Sequence, residues 1–307
     1  MIIEKDNQLD DFLLENQNKD CFIIPILSDV NRHPLENSLC AVYVKIVDGE
    51  EGLLCLNHGE TLKVKLEKLL TLSKLGNIFV YDKKQFSHIM DFGVSTPSGN
   101  VLKDEMMERV VDVNLQYYMD KNEPLDWEEL STNTHDYFYR VMWKMKNTNR
   151  IIPIFKHLEL CREQVKVLEK HHKLPIHQKY NNEIINNLSF IEKSGLRKDD
   201  EMVYSEYNLY TSTGRPSNRF GGINFAALNK KDESRKPYTS RFQDGILVEF
   251  DYDAYHLRLI GHILDYKFPK GSVHEHMSEF YGDVDYETSK STSFQYLYGR
   301  IPQEVID

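Results

Sequence analysis

The sequence predicts an α/β fold in two parts. Apolar, β-branched runs dominate residues 20–60, a strand–helix alternation follows them, and long amphipathic patterns take over beyond residue 150. At 307 residues, with 40% hydrophobic content, the chain can fill one large core or two ordinary ones. We place the division between residues 1–150 and residues 151–307.

The elements follow in order. Residues 21–27 are an apolar run, and residues 39–47 (LCAVYVKIV) are β-branched and partly alternating, so both read as strands. Asp48-Gly49 signals a turn, after which residues 52–56 (GLLCL) resume the strand pattern. Residues 62–75 carry leucines at helical spacing, residues 78–81 suit a short strand, and residues 83–90 suit a helix. Residues 120–150 are polar and aromatic, with a helix expected over 135–146. Residues 153–172 predict an amphipathic helix, and residues 180–194 another, with Gly195 placed to end it. Farther on, an apolar strand over 246–250 is expected to run into Asp251. Leu257, Leu259, Ile260 and Ile263 then continue at helical spacing.

Composition narrows the classes. Mean hydropathy is −0.54 and no run of about 18 apolar residues occurs, so no membrane span is expected. The start is acidic and polar, unlike a secretory or transit peptide. Cys21, Cys40, Cys55 and Cys161 form no CxxC pair, which argues against zinc and thioredoxin-like chemistry and suits packing in a reducing compartment. The net charge of −10 opposes wholesale polyanion binding. Residues 211–245 reverse that balance, with seven basic residues against three acidic ones. Such an island is either a phosphate-contacting strip or a solvated loop.

Three stretches carry chemistry. In YTSTGRPS (210–217), Gly214 before Arg215 lets the backbone bend close to a partner, while Thr211, Thr213 and Ser217 offer short hydroxyl donors to phosphates. In ILVEFDYDAYHLRLIGH (246–262), Asp251 at the end of a strand is placed to hold Mg²⁺, or simply to cap the next helix. In YETSKSTSFQYLYG (286–299), Lys290, Phe294 and Tyr298 fall at i, i+4 and i+8 on one helical face. They are suited to a nucleotide, or to inward packing.

The order TxTGRxS, strand–DYxxxxLR, KxxxFxxxYG resembles family A DNA polymerases such as bacterial DNA polymerase I, over about residues 150–307. The resemblance implies a partial right-hand palm and the start of the fingers, preceded by a ribonuclease H-like exonuclease-type domain. It implies a two-metal nucleotidyl transfer with two Mg²⁺ ions, deoxynucleoside triphosphates and primer–template DNA. On that reading Asp251 binds metal through its carboxylate and Tyr252 through its carbonyl, with Asp251 and Lys290 catalytic. His256, Lys290, Phe294 and Tyr298 bind nucleotide, and Arg258 is structural. Thr213, Arg215, Ser217, Arg219 and Arg241 contact DNA.

Departures qualify the match. The motif A glutamate is His256, the arginine four residues before Lys290 is Tyr286, and about 50 residues leave too little for a full thumb. Asp307 lies eight residues past Gly299, so the family's later His-Asp-Glu turn is not expected in this chain, and polymerisation by it alone is not expected either. In the first domain, Pro25 and Leu27 stand where an active exonuclease has Asp-x-Glu, and Phe86 stands at the next carboxylate. Only Asp112 matches a third. The expectation is therefore an inactive exonuclease scaffold fused to part of a polymerase, working with a C-terminal portion or partner subunit. The alternative is a non-catalytic accessory protein that binds primer–template DNA. Reduced size and eroded motifs suit a bacteriophage member, acting in the host cytoplasm.

Overall fold

The computed structural model describes residues 1–29, 33–125, 148–211, 216–218, 223–229 and 232–303. The chain divides into two compact units, Met1–Gly245 and Ile246–Asp307. The helix expected over 135–146 lies outside the described residues.

In the first unit, six strands form one mixed sheet: β1 (Ile2–Ile3), β2 (Cys21–Leu27), β3 (Leu39–Ile46), β4 (Glu51–Cys55), β5 (Ile78–Val80) and β6 (Val110–Asp112). Their order is β1-β4-β3-β2-β5-β6. The β2–β3–β4 meander is antiparallel, while β5 lies parallel to β2 and β6 parallel to β5. The Asp48-Gly49 turn joins β3 to β4, with Asp48 at φ 53°. Pro25 sits within β2 without breaking the sheet, because β5 pairs only with Cys21 and Phe22 and makes no ladder bond at Pro25.

Alternation along β2 sends its side chains to two cores. Cys21 and Ile23 join Leu9, Phe12 and Phe86 on one face, and Phe22, Ile24 and Ile26 join Cys161, Val165 and Leu168 on the other. Helices α1 (Asp6–Glu15), α2 (Lys83–Met90) and α3 (Pro97–Glu108) contribute to the first core. The second core takes Val113 from α4 (Val113–Lys121) and the apolar stripe of α5 (Ile154–His171). Each large aliphatic side chain buried this way stabilises the fold by about 1.5–3 kcal/mol. The first unit runs on through α6 (Ile185–Ser194), which Gly195 ends at φ 57°, into the antiparallel strands β7 (Leu196–Lys198) and β8 (Glu201–Val203).

Two expectations change. Residues Leu66–Lys74 form a 3-10 run rather than an α-helix. Leu66, Leu69, Leu72 and Leu75 repeat every three residues, and a helix of three residues per turn aligns them, with Leu69, Leu72 and Leu75 fully buried. Residues 246–250 form no strand and stand in solvent, with Ile246 82% and Phe250 91% exposed. Their apolar β-branched composition suits a strand, but among the described residues nothing forms a ladder with them, and an unpaired strand gains neither hydrogen bonds nor a buried face.

The second unit contains α7 (Tyr255–Ile263), α8 (Val273–Ser278) and α9 (Tyr286–Leu297), with no strand among its described residues. Gly261 permits a close approach here, since a Cβ would come within 2.8 Å of Phe268 and 3.0 Å of the Tyr266 carbonyl. Among the described residues, no helix is long and apolar enough to cross a membrane.

Candidate functional site

The second unit contains two of the three stretches. Asp251 and Tyr252 are exposed on the approach to α7, and Ala254, left-handed at φ 46°, turns the chain into it. Arg258 reaches back one turn. Its Nε donates to the Asp253 carbonyl at 3.1 Å, and its Nη2 to Asp253 Oδ2 at 2.7 Å and to the Gly271 carbonyl at 2.9 Å. Burial pushes the Asp253 carboxyl up, but the Arg258 guanidinium and the Val273 N–H outweigh it and hold it below the usual range. Arg258 therefore braces the turn through Asp253, the neighbour of the predicted metal-binding pair. His256 is exposed, its ring 5.6 Å from that of Tyr255.

Helix α9 starts at Asp285, whose side chain accepts from the Thr288 N–H at 3.0 Å. Ser289 and Ser293, four residues apart, are buried, and Ser289 Oγ donates to the His274 carbonyl at 2.6 Å. These small residues let α8 and α9 pack closely, with the Tyr286 and Phe294 rings against His274. Phe294 is 39% and Tyr298 69% exposed, and Lys290 Nζ lies 5.9 Å from the Tyr286 ring centroid. Ser289 and Ser293 take the innermost positions, while the Phe294 ring is partly covered, 6.1 Å from that of buried His274.

The DNA-contact candidates are distributed differently. Thr213, Arg215 and Arg219 lie outside the described residues. Ser217 is exposed on β10 (Ser217–Asn218), paired antiparallel with β9 (Tyr207–Asn208). Arg241 donates to the carbonyls of Lys193 at 3.2 Å and Ser194 at 2.8 Å, satisfying the C-terminal end of α6. Arg235 donates to the Leu228 carbonyl. Part of the basic island therefore serves the fold itself.

At the carboxyl ends of β5 and β6 the sequence identified Asp112 and missed Asp82. Each caps a helix: Asp82 accepts from the Gln85 N–H at 2.9 Å, and Asp112 from the Leu115 N–H at 2.8 Å and the Lys83 N–H at 2.9 Å. The signal was the strand–Asp–helix pattern at both places. Burial, together with the neighbouring Asp82 charge, pushes the Asp112 carboxyl up to about 7. The gap bounded by Asp82, Asp112, Lys84, Tyr207, Leu209 and Tyr210 is too small for a water molecule. Phe86 is fully buried, Leu27 nearly so, and Pro25 partly buried.

A second cluster escaped the sequence reading. Cys40, His58 and His157 are buried with donor atoms within 4.8 Å of one another, a set chemically able to hold a metal. Here those atoms serve the backbone. Cys40 Sγ and His157 Nε2 donate to the Asn149 carbonyl, at 3.4 and 2.7 Å. His58 Nε2 donates to the Ile152 carbonyl at 2.8 Å, and its Nδ1 accepts from the Glu60 N–H. Burial pushes the Cys40 thiol up to about 12, away from the thiolate a metal takes.

Burial also lowers the His157 imidazole to about 4, although its bond to Asn149 favours the protonated ring. A depressed histidine contributes stability above its unfolded value of about 6.5 and loses it as pH falls toward 4. Stability should drop by up to about 3 kcal/mol across that window from this group alone. Urea unfolding at pH 7.5 and 4.5 measures it, and His157→Gln should flatten the difference. Equal losses in both proteins would exclude His157 as the source.

No protein-family model matches the sequence, and no curated relative does. Among solved structures, the chain is similar to the POL domain of Pol1 from M. smegmatis in complex with DNA primer-template and dNTP. The match has 11% identity and a TM-score of 0.42, covering 97% of this chain and 71% of that one. It is also similar to the apo form of a nuclease, at 9% identity and a TM-score of 0.34, covering 62% of this chain and 88% of that one.

Proposed function

We propose that this chain is the N-terminal part of a family A DNA-directed DNA polymerase. Residues 1–150 would be a degenerate 3′–5′ exonuclease-like domain of ribonuclease H-like fold, and residues 151–307 a partial polymerase domain. The observation that carries the reading is the ordered set TxTGRxS, DYxxxxLR and KxxxFxxxYG. The sheet supports the first assignment: in β4-β3-β2-β5-β6 only β3 runs against the rest, as a ribonuclease H-like fold requires. The open face of α9 supports the second.

Asp251 and the Tyr252 carbonyl offer the hard oxygens that Mg²⁺ prefers, and the ion would supply electrostatic stabilisation of the transferring phosphoryl group. Lys290 neutralises the triphosphate, Phe294 packs on the nucleotide, Tyr298 abuts the templating base, and His256 faces the sugar. The open apolar run at 246–250 suits a palm strand whose ladder partners, with the second metal carboxylate, come from a C-terminal portion or partner.

Primer–template affinity should fall steeply with salt. Arg215→Ala should weaken it by about 1–3 kcal/mol, the range for a charged hydrogen bond. Fluorescence anisotropy across a salt series is the measurement, and a flat response would remove the nucleic-acid reading. One observation favours a second reading, a non-catalytic accessory protein. Tyr286 occupies the position of a family arginine, and its ring engages Lys290. DNA binding without nucleotide incorporation in any assembled complex would select it.

A further inference from the structure

Glu192, on α6, is fully buried, and its carboxylate has three partners. Lys84 Nζ donates to Oε1 at 2.7 Å, the Tyr207 N–H donates to the same oxygen at 2.6 Å, and His88 Nε2 donates to Oε2 at 2.6 Å. Lys84 and His88 project from one face of α2, four residues apart. Burial keeps His88 below its usual range, so the Lys84 cation balances the carboxylate and the imidazole serves as a neutral donor.

Packing does not require such a trio, since apolar residues of similar volume fill a core as well or better. What the carboxylate supplies beyond volume is an acceptor for Tyr207. Tyr207 is the first residue of β9, and Ser217 on β10 pairs with Asn208. The preceding residues are held from the other side: Ser205 and Glu206 are buried, His33 Nε2 contacts the Ser205 carbonyl at 3.2 Å, and the His33 and Tyr204 rings stack at 5.5 Å. Tyr118 donates its hydroxyl to the Thr211 carbonyl at 2.7 Å, beyond the ladder. Among the described residues, the bonds from Glu192, His33 and Tyr118 to this segment thus come from α6 and the sheet domain, while Ser205 Oγ also donates to the Ile223 carbonyl.

We propose that Glu192 is a positioning residue for the nucleic-acid-gripping segment. Its carboxylate, neutralised by Lys84 and bonded to His88, holds the β9–β10 ladder through Tyr207. The nuclease-like domain is then the mount from which the primer–template grip is presented. The grip rests on the function proposed above; the mount stands on geometry alone.

The test uses the full chain in three forms: wild type, Glu192→Gln, and the triple variant Lys84→Met/His88→Leu/Glu192→Leu. Glutamine keeps an oxygen for the Tyr207 N–H while removing one of the carboxylates that favour the Lys84 cation, beside Asp82 and Glu206. The triple variant removes that acceptor and replaces the trio by apolar side chains, with Asp82 and Glu206 retained. Hydrogen–deuterium exchange follows the β9 and β10 amides, and anisotropy of a primer–template hairpin follows affinity from about 50 to 300 mM salt. In the triple variant, Tyr207 and Asn208 should exchange at least about tenfold faster, and the salt slope should fall by about 1, the loss of one phosphate contact. Glu192→Gln should unfold at lower temperature yet keep the wild-type slope while folded. Unchanged exchange in the triple variant would overturn the mount. Faster exchange with an unchanged slope would overturn its service to the grip. A wild-type chain without salt-dependent affinity would remove the nucleic-acid half, and exchange would still decide the mount.

Discussion

Asp251→Ala should reduce templated nucleotide incorporation by about 10³-fold or more when the chain is combined with a polypeptide that carries the second metal carboxylate. Two cations a few ångströms apart repel strongly, and a single remaining carboxylate cannot offset that repulsion. The wild-type chain without that polypeptide should fail to extend a primer for the same reason. Asp253→Ala is the contrasting variant, because it strips Arg258 of its ion pair and frees the turn before α7. Single-nucleotide extension of a primed template, with and without the C-terminal polypeptide, reads both effects. Robust extension by the isolated chain, or an Asp251→Ala complex retaining a tenth of the rate, would sink the assignment.

Phe86→Ala should destabilise the first unit by about 3–5 kcal/mol, a large share of the 5–15 kcal/mol that holds a typical domain together. The ring is fully buried in the core that also contains Leu9, Phe12, Ile89 and Met90. Phe86→Asp should be worse, since it places an unpaired carboxylate where only apolar groups can meet it. Phe86 stands where the resemblance puts an exonuclease carboxylate, so this substitution also asks whether nuclease chemistry is recoverable. Urea unfolding gives the stability, and labelled single-stranded DNA with Mg²⁺ or Mn²⁺ gives the activity. No metal-dependent shortening from the 3′ end is expected of wild type or variant. A folded Phe86→Asp protein that digests DNA would show a dormant site rather than a core position.

Several elements were legible along the chain because their cause is local. Strands β2, β3 and β4 declare themselves by β-branched runs and the Asp48-Gly49 turn, and α5 by an apolar stripe at His157, Cys161, Val165 and Leu168. Gly195 ends α6 because glycine adopts positive φ without steric penalty. The α1 stripe of Leu9, Phe12 and Leu13 was equally local, yet its acidic setting concealed it. The proposed site rests on an order of motifs, and periodicity puts Lys290 and Phe294 four residues apart on α9.

The sequence by itself determined residue types, their periods and the order of the three motifs, all of which depend on neighbours a few positions away. Tertiary structure decided the rest. It turned the leucines of Leu66–Lys74 into a 3-10 run and left residues 246–250 open. It assigned Arg241 to the end of α6 and joined Glu192 to Lys84 and His88 across more than a hundred residues. Strand formation needs a ladder partner, and a buried charge needs a counter-charge. Both are supplied by distant parts of the chain, so no local pattern could announce them.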